Sequence, residues 1–449
     1  MSYQLIKNTD WKDVEINGEN KQIPNDWEYG LLTNYLDFQE GPGILAKDFR
    51  ESGIPLLRIE SIKGIETTLN GCNYLDENMV TKKWNHFKIK ENDILLSASG
   101  TLGVISKVKK EHEGAIVYTG IIRFRVKDKT KQEFIPYLLN SDHVLNKLKK
   151  NANSSILSHF GPKDLKVLEM PLPSIQEQSF ISSILSKQEY IISNIEKLIE
   201  KNEIIFNELS EQLLSGDLRL KENNGTIIIH KNPKDNWKEV EVNGKMKRIP
   251  SDWCVNKIKA ISKVCTGNTP STKEESFWTN QEGFKWISTP DFRIKKNGYI
   301  NSFTRLLTSE GKKKARICPK DTLLVSCIAT IGEVGLLSED SSFNQQINAI
   351  LPNEMVSTRY LQYFFTINKQ DFINYAPESV VKIVNKELFE IYEVYFCSNY
   401  EQTLIENMLF DLENKIVSLK KLLANEKEKF EWLLDNLLSG NYLVKEIKK

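Results

Sequence analysis

Two long stretches of the chain carry apolar residues at alternating steps of three and four, the pattern of a helix with one narrow apolar seam. They cover residues 177–216 and 401–440 and have equal length, each closing on a glycine suited to a helix end. The predicted seam is Ile181, Ile184, Gln188, Ile191, Ile195, Leu198, Asn202, Ile205 and Leu209 in the first stretch, and Ile405, Met408, Leu412, Lys415, Leu419, Leu422, Glu426, Lys429 and Leu433 in the second. The pattern predicts two coiled-coil helices; the alternative is that each helix packs only on its own domain.

The stretch before each helix opens with the same motif. Residues 11–27 read WKDVEINGENKQIPNDW and residues 237–253 read WKEVEVNGKMKRIPSDW, with eleven of seventeen positions identical at a constant offset of 226. The helices repeat at an offset of 224. The chain is therefore an internal repeat with matched ends and a divergent interior, which suggests one scaffold that carries two specificities.

The divergent interiors, residues 28–172 and 254–398, mix short β-rich runs with helical patterns. Strands are predicted at 93–97, 120–126, 323–326 and 347–351, and helices at 133–150 and 357–375. Each interior is interpreted as an α/β domain with a small net positive charge, which permits a DNA-binding face without proving one.

Composition excludes several classes of protein. The whole chain carries a net charge of +1, and its six cysteines form no C-x-x-C pair, which argues against a zinc site and against a disulfide framework. No apolar run is long enough to span a membrane and no secretory signal opens the chain, so we expect a cytoplasmic protein. Phosphate-binding and methyl-donor motifs are missing, so we expect no cofactor, no metal and no catalytic residue in this chain.

One nuclease-like pattern needs separate treatment. Pro290-Asp291 followed by Glu310-Gly311-Lys312 matches a PD…ExK expression, whose chemistry requires two carboxylates and a lysine to converge on a metal ion. Glu310 lies in the lysine-rich stretch TSEGKKKAR, which is typical of a solvated helix or turn, and the first repeat has no counterpart. The nuclease interpretation is therefore rejected.

The combined motifs resemble one family. They are Ile23-Pro24-Asn25-Asp26-Trp27 and Ile249-Pro250-Ser251-Asp252-Trp253, then Pro171-Leu-Pro173, Glu177-Gln178, Glu401-Gln402 and the loop Thr266-Gly267-Asn268-Thr269-Pro270-Ser271. Together they resemble the specificity subunit of type I restriction–modification enzymes over nearly the whole chain. The sequence departs from the pattern at Tyr395-Phe-Cys-Ser-Asn, where the first copy has Pro171-Leu-Pro-Ser-Ile, and at Gln39-Glu-Gly-Pro-Gly-Ile, where the second has the T-G-x-T-P-S loop.

The resemblance implies an α/β fold with two target-recognition domains joined by two long antiparallel coiled-coil helices in a pseudo-twofold repeat. It divides the chain into an opening segment 1–27, a first recognition domain 28–172, a central helix 173–216, a linker with the second motif 217–253, a second recognition domain 254–398 and a final helix 399–449. Each domain would read half of a bipartite, asymmetric target through the major groove, and the helices would set the gap. The implied partners are double-stranded DNA, two methyltransferase subunits and, for restriction, motor–nuclease subunits.

Candidates for DNA contact are polar and basic residues in glycine-containing loops, because amides suit adenine edges, arginine suits guanine, and lysine and threonine more often hold phosphate. In the first domain they are Lys47, Arg50, Arg58, Ser99, Thr101, Tyr118 and Thr119, and in the second Thr269, Ser271, Thr272, Lys273, Arg293, Thr330, Asn344, Gln345 and Gln346. The alternative function is a two-headed scaffold for two protein partners without DNA specificity. An enzyme, nuclease or methyltransferase, is opposed by the missing motifs.

Overall fold

The computed structural model describes residues 3–64, 66–99, 103–127, 133–141, 144, 165–378 and 382–446. The strands up to the first long helix are β1 (Tyr3–Lys7), β2 (Trp11–Ile16), β3 (Glu19–Pro24), β4 (Glu28–Leu31), β5 (Leu36–Glu40), β6 (Phe49–Arg50), β7 (Ile54–Leu57), β8 (Asn73–Leu75), β9 (Ile94–Ser97), β10 (Ile105–Lys107), β11 (Ile116–Val117), β12 (Ile121–Val126) and β13 (Glu169–Leu172). The strands that follow are β14 (Leu218–Asn223), β15 (Thr226–Lys231), β16 (Trp237–Val242), β17 (Lys245–Pro250), β18 (Cys254–Lys257), β19 (Val264–Thr266), β20 (Trp278–Thr279), β21 (Phe284–Ile287), β22 (Lys295–Lys296), β23 (Tyr299–Ile300), β24 (Arg305–Leu307), β25 (Ile317–Cys318), β26 (Leu323–Ser326), β27 (Val334–Leu337), β28 (Ser341–Phe343), β29 (Ile347–Ile350), β30 (Glu393–Phe396) and β31 (Tyr442–Glu446).

The α-helices are α1 (Glu77–Met79), α2 (Ile135–Leu139), α3 (Ile175–Ser215), α4 (Ile258–Ile261), α5 (Ser309–Lys314), α6 (Thr358–Ile367), α7 (Lys369–Tyr375), α8 (Lys386–Ile391) and α9 (Asn399–Leu438). The predicted strands and the helical stretch 357–375 are confirmed within one or two residues. Within the helix expected over 133–150, Ile135–Leu139 and Val144 are helical, and residues 142–143 and 145–150 lie outside the described part of the chain. Within that part, no helix is long and apolar enough to cross a membrane.

The chain forms two compact units, residues 1–194 with 423–449, and residues 195–422. The first unit holds the antiparallel sheet β10-β9-β12-β5 and a second sheet, β11-β7-β8-β6, in which β11 and β7 are parallel. Leu96 and Phe124 of the first sheet share an apolar core with Ile181 and Leu185 of α3 and with Leu437 of α9. The long helices are therefore part of the core of this unit.

The second unit repeats this plan with larger sheets. It contains the six-stranded sheet β19-β29-β26-β27-β23-β22 and the five-stranded sheet β20-β24-β21-β28-β25. Its main core gathers Trp253, Tyr360 and Phe364 with Ile405 and Leu409 of α9. The main apolar cluster of the second unit is separate from that of the first, so each unit has a hydrophobic core of its own.

In both copies of the repeat, the tip of a hairpin is hydrogen-bonded to a distant strand. Asn17, at the tip of hairpin β2–β3, donates its backbone N–H to Glu169 Oε2 (2.8 Å) and its side-chain amide to Glu169 O (2.9 Å), and Glu169 N donates back to Asn17 Oδ1 (2.7 Å). Asn243 and Glu393 make the same three bonds at 2.9, 2.9 and 2.8 Å. The asparagine of each Asn-Gly turn therefore has a tertiary role in addition to its turn preference.

The glycine that closes each helix packs on the proline of the repeated I-P-x-D-W motif. A Cβ added to Gly216 would lie 2.3 Å from Pro250 Cγ, and one added to Gly440 would lie 2.3 Å from Pro24 Cγ. Both glycines also have positive φ (82° and 75°), a conformation that costs a residue with Cβ. The motif and the helix end are thus one packed unit in each copy.

The observed helix seam differs from the predicted one at every second position. Residues at 181, 188, 195, 202 and 209 face inward as expected, but Leu198 and Ile205 are 48% and 39% exposed. The inward positions between them are Leu185, Ile192, Ile199, Phe206 and Leu213, and α9 repeats them at Leu409, Ile416, Leu423, Phe430 and Leu437. The predicted seam residues Lys415, Leu422 and Lys429 are exposed, and Ile184, Ile191 and Met408 are only half-buried. The prediction chose the wrong member of each adjacent pair because both members are mostly apolar.

The two helices run antiparallel within each unit. In the first unit, the Gln188 side-chain amide donates to the backbone oxygen (3.2 Å) and the carboxylate of Glu426. In the second, Glu203 pairs with Lys420 at 2.7 Å. The polar seam residues Gln188 and Glu426 therefore bind each other, which fixes the register of this helix pair.

Exchanging Ile199 for Asn tests the observed seam against its neighbour Leu198. Ile199→Asn should lower the free energy of unfolding by about 2–5 kcal/mol, because it removes a buried side chain and buries an amide. Leu198→Asn should cost less than about 1 kcal/mol, because that position is exposed. Chemical denaturation of both variants measures the difference, and equal losses would restore the predicted seam.

Candidate nucleic-acid interface

The loop at residues 266–271 of the second domain lies against the segment 343–346. Gly267 N donates to Ile347 O (3.2 Å) and Asn268 N donates to Phe343 O (2.9 Å). A Cβ on Gly267 would lie only 2.2 Å from Asn344 O, so no other residue fits without moving the backbone. This close approach brings the predicted contact residues of both segments to one place.

Within this cluster the three consecutive amides have different roles. Gln345 is exposed, and its Oε1 accepts a bond from Thr269 Oγ1 at 2.5 Å. Asn344 is buried (8% exposed); its Oδ1 accepts from Gln346 N (3.1 Å) and its Nδ2 donates to Gln346 Oε1 (3.3 Å). Asn344 therefore shapes the turn, and a contact of this residue with DNA stays a prediction.

Two tryptophans hold the loop from behind, and sequence reasoning missed both. Trp278 Nε1 donates to Ser271 O (3.0 Å) and Trp286 Nε1 donates to Asn268 O (3.1 Å). Their rings meet edge to face at 5.3 Å, and the Arg305 guanidinium lies over the Trp278 ring. Two indole N–H groups thus fix the loop by binding the backbone oxygens of Asn268 and Ser271.

The remaining candidates of the second domain are less tightly grouped. Ser271, Thr272 and Lys273 are exposed where the loop ends. Thr330 is exposed and bonds Ser326 Oγ (3.2 Å) in a turn next to Gln346. Arg293 is exposed at the end of the 3-10 turn that follows β21.

The first domain builds the same frame from other residues. Gly41 N donates to Ile121 O (3.0 Å), and a Cβ on Gly41 would lie 2.2 Å from Val117 O and 2.4 Å from Tyr118 O. Gly41 and Gly267 are 226 residues apart, the offset of the repeated opening motif. The segment that departs from the T-G-x-T-P-S pattern therefore occupies the equivalent place, and the shared glycine offset was the signal that could have shown it.

Around this frame the first domain gathers aromatic and basic side chains. The Arg58 guanidinium lies 4.1 Å from the centre of the Tyr118 ring, and its Nη1 donates to Asn73 Oδ1 at 2.8 Å. Thr119 is exposed, with Oγ1 3.4 Å from Glu40 Oε1. Ser99 lies against Gly120, where an added Cβ would come within 2.1 Å of Ser99 Oγ.

Lys47, Arg50 and Thr101 complete the set for this domain. Lys47 and Arg50 are both exposed, and Arg50 Nη1 donates to Lys47 O (3.1 Å) and Phe49 O (2.9 Å). Thr101 lies outside the described residues. The structure thus gives the first domain an arginine–aromatic surface, where the second presents amides and hydroxyls.

The nuclease-like pattern has no metal-binding geometry. Asp291 is buried and its carboxylate accepts from Ser288 N (2.8 Å), Thr304 Oγ1 (2.6 Å) and Ser302 Oγ (3.2 Å). Glu310 lies in the first turn of α5, the helix or turn expected there. In the described ranges, no three His, Cys, Asp or Glu side chains are grouped to hold a metal ion.

Comparison with known proteins agrees with this architecture. The model of the type I restriction modification DNA specificity domain matches residues 24–204 and again residues 250–427, so the chain belongs to that family. The putative MjaX specificity subunit of Methanocaldococcus jannaschii is 24% identical, with 98% of this chain and 99% of that protein aligned. The MjaIX specificity subunit of the same organism is 31% identical over 179 residues, which cover 39% of this chain and 41% of that protein.

Solved structures are similar in fold. The S subunit of the type I restriction–modification system of M. genitalium aligns over 92% of this chain and 96% of its own length, with a TM-score of 0.52 and 14% identity. A chain from a structural study of complex assembly and conformational transition of the type I R-M system aligns over 93% and 99%, with a TM-score of 0.54 and 12% identity. At these identities the likeness concerns the fold alone.

Gly41 and its neighbour Gly43 provide a matched test of the loop frame. Gly41→Ala should lower the midpoint of thermal unfolding and disturb the first domain, because its Cβ would meet two backbone oxygens. Gly43→Ala should have little effect, since nothing lies within 4 Å of its added Cβ. Differential scanning calorimetry compares the two. If Gly41→Ala were as stable as Gly43→Ala, the close approach would be wrong.

Proposed function

We propose that this chain is the DNA sequence-recognition subunit of a type I restriction–modification complex and has no catalytic centre of its own. Each domain reads one half of a bipartite, asymmetric duplex target through the major groove. The observation that carries this proposal is the equivalent packing of Gly41 and Gly267. Each glycine lies against backbone oxygens of the adjoining segment, so the two loops occupy equivalent places but carry different side chains. One backbone with two sets of polar side chains suits the reading of two unrelated half-sites.

The side chains on the two frames favour different base contacts. In the second domain Gln345 and Thr269 are bonded to each other at the loop surface, and an exposed amide can pair with an adenine edge. In the first domain Arg58, stacked on Tyr118, has the donor geometry that suits guanine or phosphate. Exposed Lys47, Arg50 and Lys273 would hold the phosphate backbone.

The long helices are proposed to set the gap between half-sites and to bind two methyltransferase subunits, which motor–nuclease subunits join for restriction. The second unit leaves apolar side chains uncovered along both helices: Leu198, Ile204 and Ile205 of α3, and Val417 and Leu422 of α9, each 39–50% exposed. We call these five residues the exposed stripe. Its occupant would be a methyltransferase helix, because Leu198 and Ile205, seven residues apart, lie on one face of α3, a spacing that suits helix packing.

Gln345→Ala tests DNA reading. In complex with its methyltransferase, the variant should bind the duplex target about 5- to 150-fold more weakly, the range for loss of one base contact, with the effect confined to one half-site. Gln370→Ala, an exposed glutamine on α7 of the same domain, is the control and should bind like the parent. Fluorescence anisotropy at several salt concentrations measures the affinities. Affinity that did not fall with salt, or that did not depend on the duplex sequence, would favour the protein scaffold instead.

Leu198→Asn with Ile205→Asn tests the exposed stripe. The double variant should keep its unfolding midpoint and lose at least about tenfold in affinity for the methyltransferase subunit, because two apolar contacts are worth roughly 1.5–3 kcal/mol each when fully buried. Glu200→Ala, exposed on another face of the same helix, should bind normally. Isothermal titration calorimetry gives both affinities. Unchanged binding by the double variant would place the methyltransferase elsewhere.

A further inference from the structure

Cys265 and Cys318 of the second domain meet beside the loop at residues 266–271. Cys265 is half-buried on β19, and Cys318 is buried on β25, which belongs to the other sheet. Both pack in one apolar cluster, and their thiols are within hydrogen-bonding reach of each other. The contact was not evident from sequence, where the two cysteines are 53 positions apart.

Hydrogen bonds on both sides of the loop base keep these segments together. Arg316 N donates to Asn268 Oδ1 (2.6 Å) and Arg316 Nη1 donates to Thr266 O (2.8 Å). Asn268 Nδ2 in turn donates to Lys314 O (2.8 Å). The segments that carry the two cysteines are therefore joined within four residues of each thiol, so their approach follows from the backbone arrangement.

The surroundings divide the two thiols into an attacking and a resolving partner. A hydrogen bond from Cys318 lowers the pKa of Cys265 to about 6, and the positive charges of Arg316, Lys386 and Lys263 act in the same direction. The same contact, together with burial, raises the pKa of Cys318, which therefore stays protonated. By contrast, burial raises the pKa of Cys327 to about 12. Half-exposed thiolates near cations are the reactive cysteines of proteins.

We propose that Cys265 and Cys318 are a redox modification site, at which a peroxide converts the two thiols into a reversible disulfide. The Cys265 thiolate attacks one peroxide oxygen, breaks the O–O bond and becomes a sulfenic acid, while hydroxide leaves and takes a proton to form water. Cys318 then gives up its proton and its sulfur attacks the sulfenic sulfur, which releases a second water. Two thiols lose two electrons and one hydrogen peroxide is reduced to two waters. Two molecules of a small thiol reduce the disulfide by exchange and leave as their own disulfide, which restores both cysteines.

The disulfide would tie β19 to β25 at the base of the 266–271 loop and so alter the loop frame at Gly267. A consequence for DNA binding rests on the proposed function. Oxidation should weaken binding of the duplex target at least about fivefold, the factor for loss of one base contact. Only recognition of the second half-site should be affected. The chemistry at the two sulfurs does not depend on that function. The site and its consequence are therefore tested by separate measurements.

The site is tested on the full chain treated with a limiting amount of hydrogen peroxide. Peptide mapping by mass spectrometry without reductant should find a Cys265–Cys318 cross-link, while Cys254, an exposed cysteine of the same domain, stays reduced. In Cys318→Ser, which keeps a hydrogen-bond donor beside Cys265, dimedone should label Cys265, because the sulfenic acid can no longer be resolved. Oxidation of Cys254 with Cys265 and Cys318 still reduced would overturn the proposal, as would a cross-link that joins other cysteines.

The consequence is tested by fluorescence anisotropy on the duplex target, with the chain in complex with its methyltransferase. Oxidised protein should bind at least about fivefold more weakly, dithiothreitol should restore the affinity, and Cys265→Ser should be insensitive to peroxide. Cys254→Ser is the control and should respond like the parent. A complete disulfide with unchanged affinity would overturn the regulatory consequence and leave the site. Reduced protein that binds no duplex at all would contradict the proposed function and not the cysteine chemistry.

Discussion

A buried carboxylate at the start of each long helix must receive hydrogen bonds, and the rest of each unit is arranged around that need. Glu177 and Glu401 are 7% and 4% exposed. A buried carboxylate without donors would be strongly unfavourable, so strands from distant parts of the chain come to its side. Val444 N donates to Glu177 (3.4 Å) and Leu220 N donates to Glu401 (3.1 Å). The glutamine that follows each glutamate ties the helix start to the preceding segment, through Pro173 O in one copy and Cys397 O in the other, both at 2.9 Å.

The two copies satisfy the carboxylate with different side chains. Trp27 Nε1 donates to Glu177 (3.0 Å), whereas Arg219 holds Glu401 with two bonds and also pairs with Asp252. Burial raises the pKa of Glu177, so its carboxylate binds a proton more readily in the folded first unit than in the unfolded chain. The stability of this unit therefore declines as the pH rises through the raised pKa of Glu177. In the second unit the hydrogen bond from Arg219 lowers the pKa of Asp252. The stability that this pair contributes is therefore lost as the pH falls through the lowered pKa of Asp252. A repeat that matches in sequence thus differs in its electrostatics.

The sequence predicted the repeat, the two long helices and most of the strands tested, because these depend on local pattern and on a constant offset. It could not choose between Leu198 and Ile199, since both are apolar and only the partner helix decides which one is covered. It also missed Trp278 and Trp286 behind the loop, because an indole N–H that reaches a backbone oxygen leaves no spacing signature. Asn344 was selected for its chemistry, but its amide is used by the turn. Residue chemistry alone does not show which amides of a loop are already bonded within its own turn.

The pairing of β1 with β31 affects the order in which the molecule can fold during synthesis. Tyr3 to Lys7 pair antiparallel with Glu446 to Tyr442, and residues 423–449 belong to the first unit. The second unit, residues 195–422, is contiguous and has its whole sequence available once residue 422 has left the ribosome. The first unit begins earlier but must wait for residues 423–449, with part of its core uncovered meanwhile. A chaperone that acts on this protein would therefore be needed at the earlier-made half, where Leu433 and Leu437 are still missing from the apolar cluster.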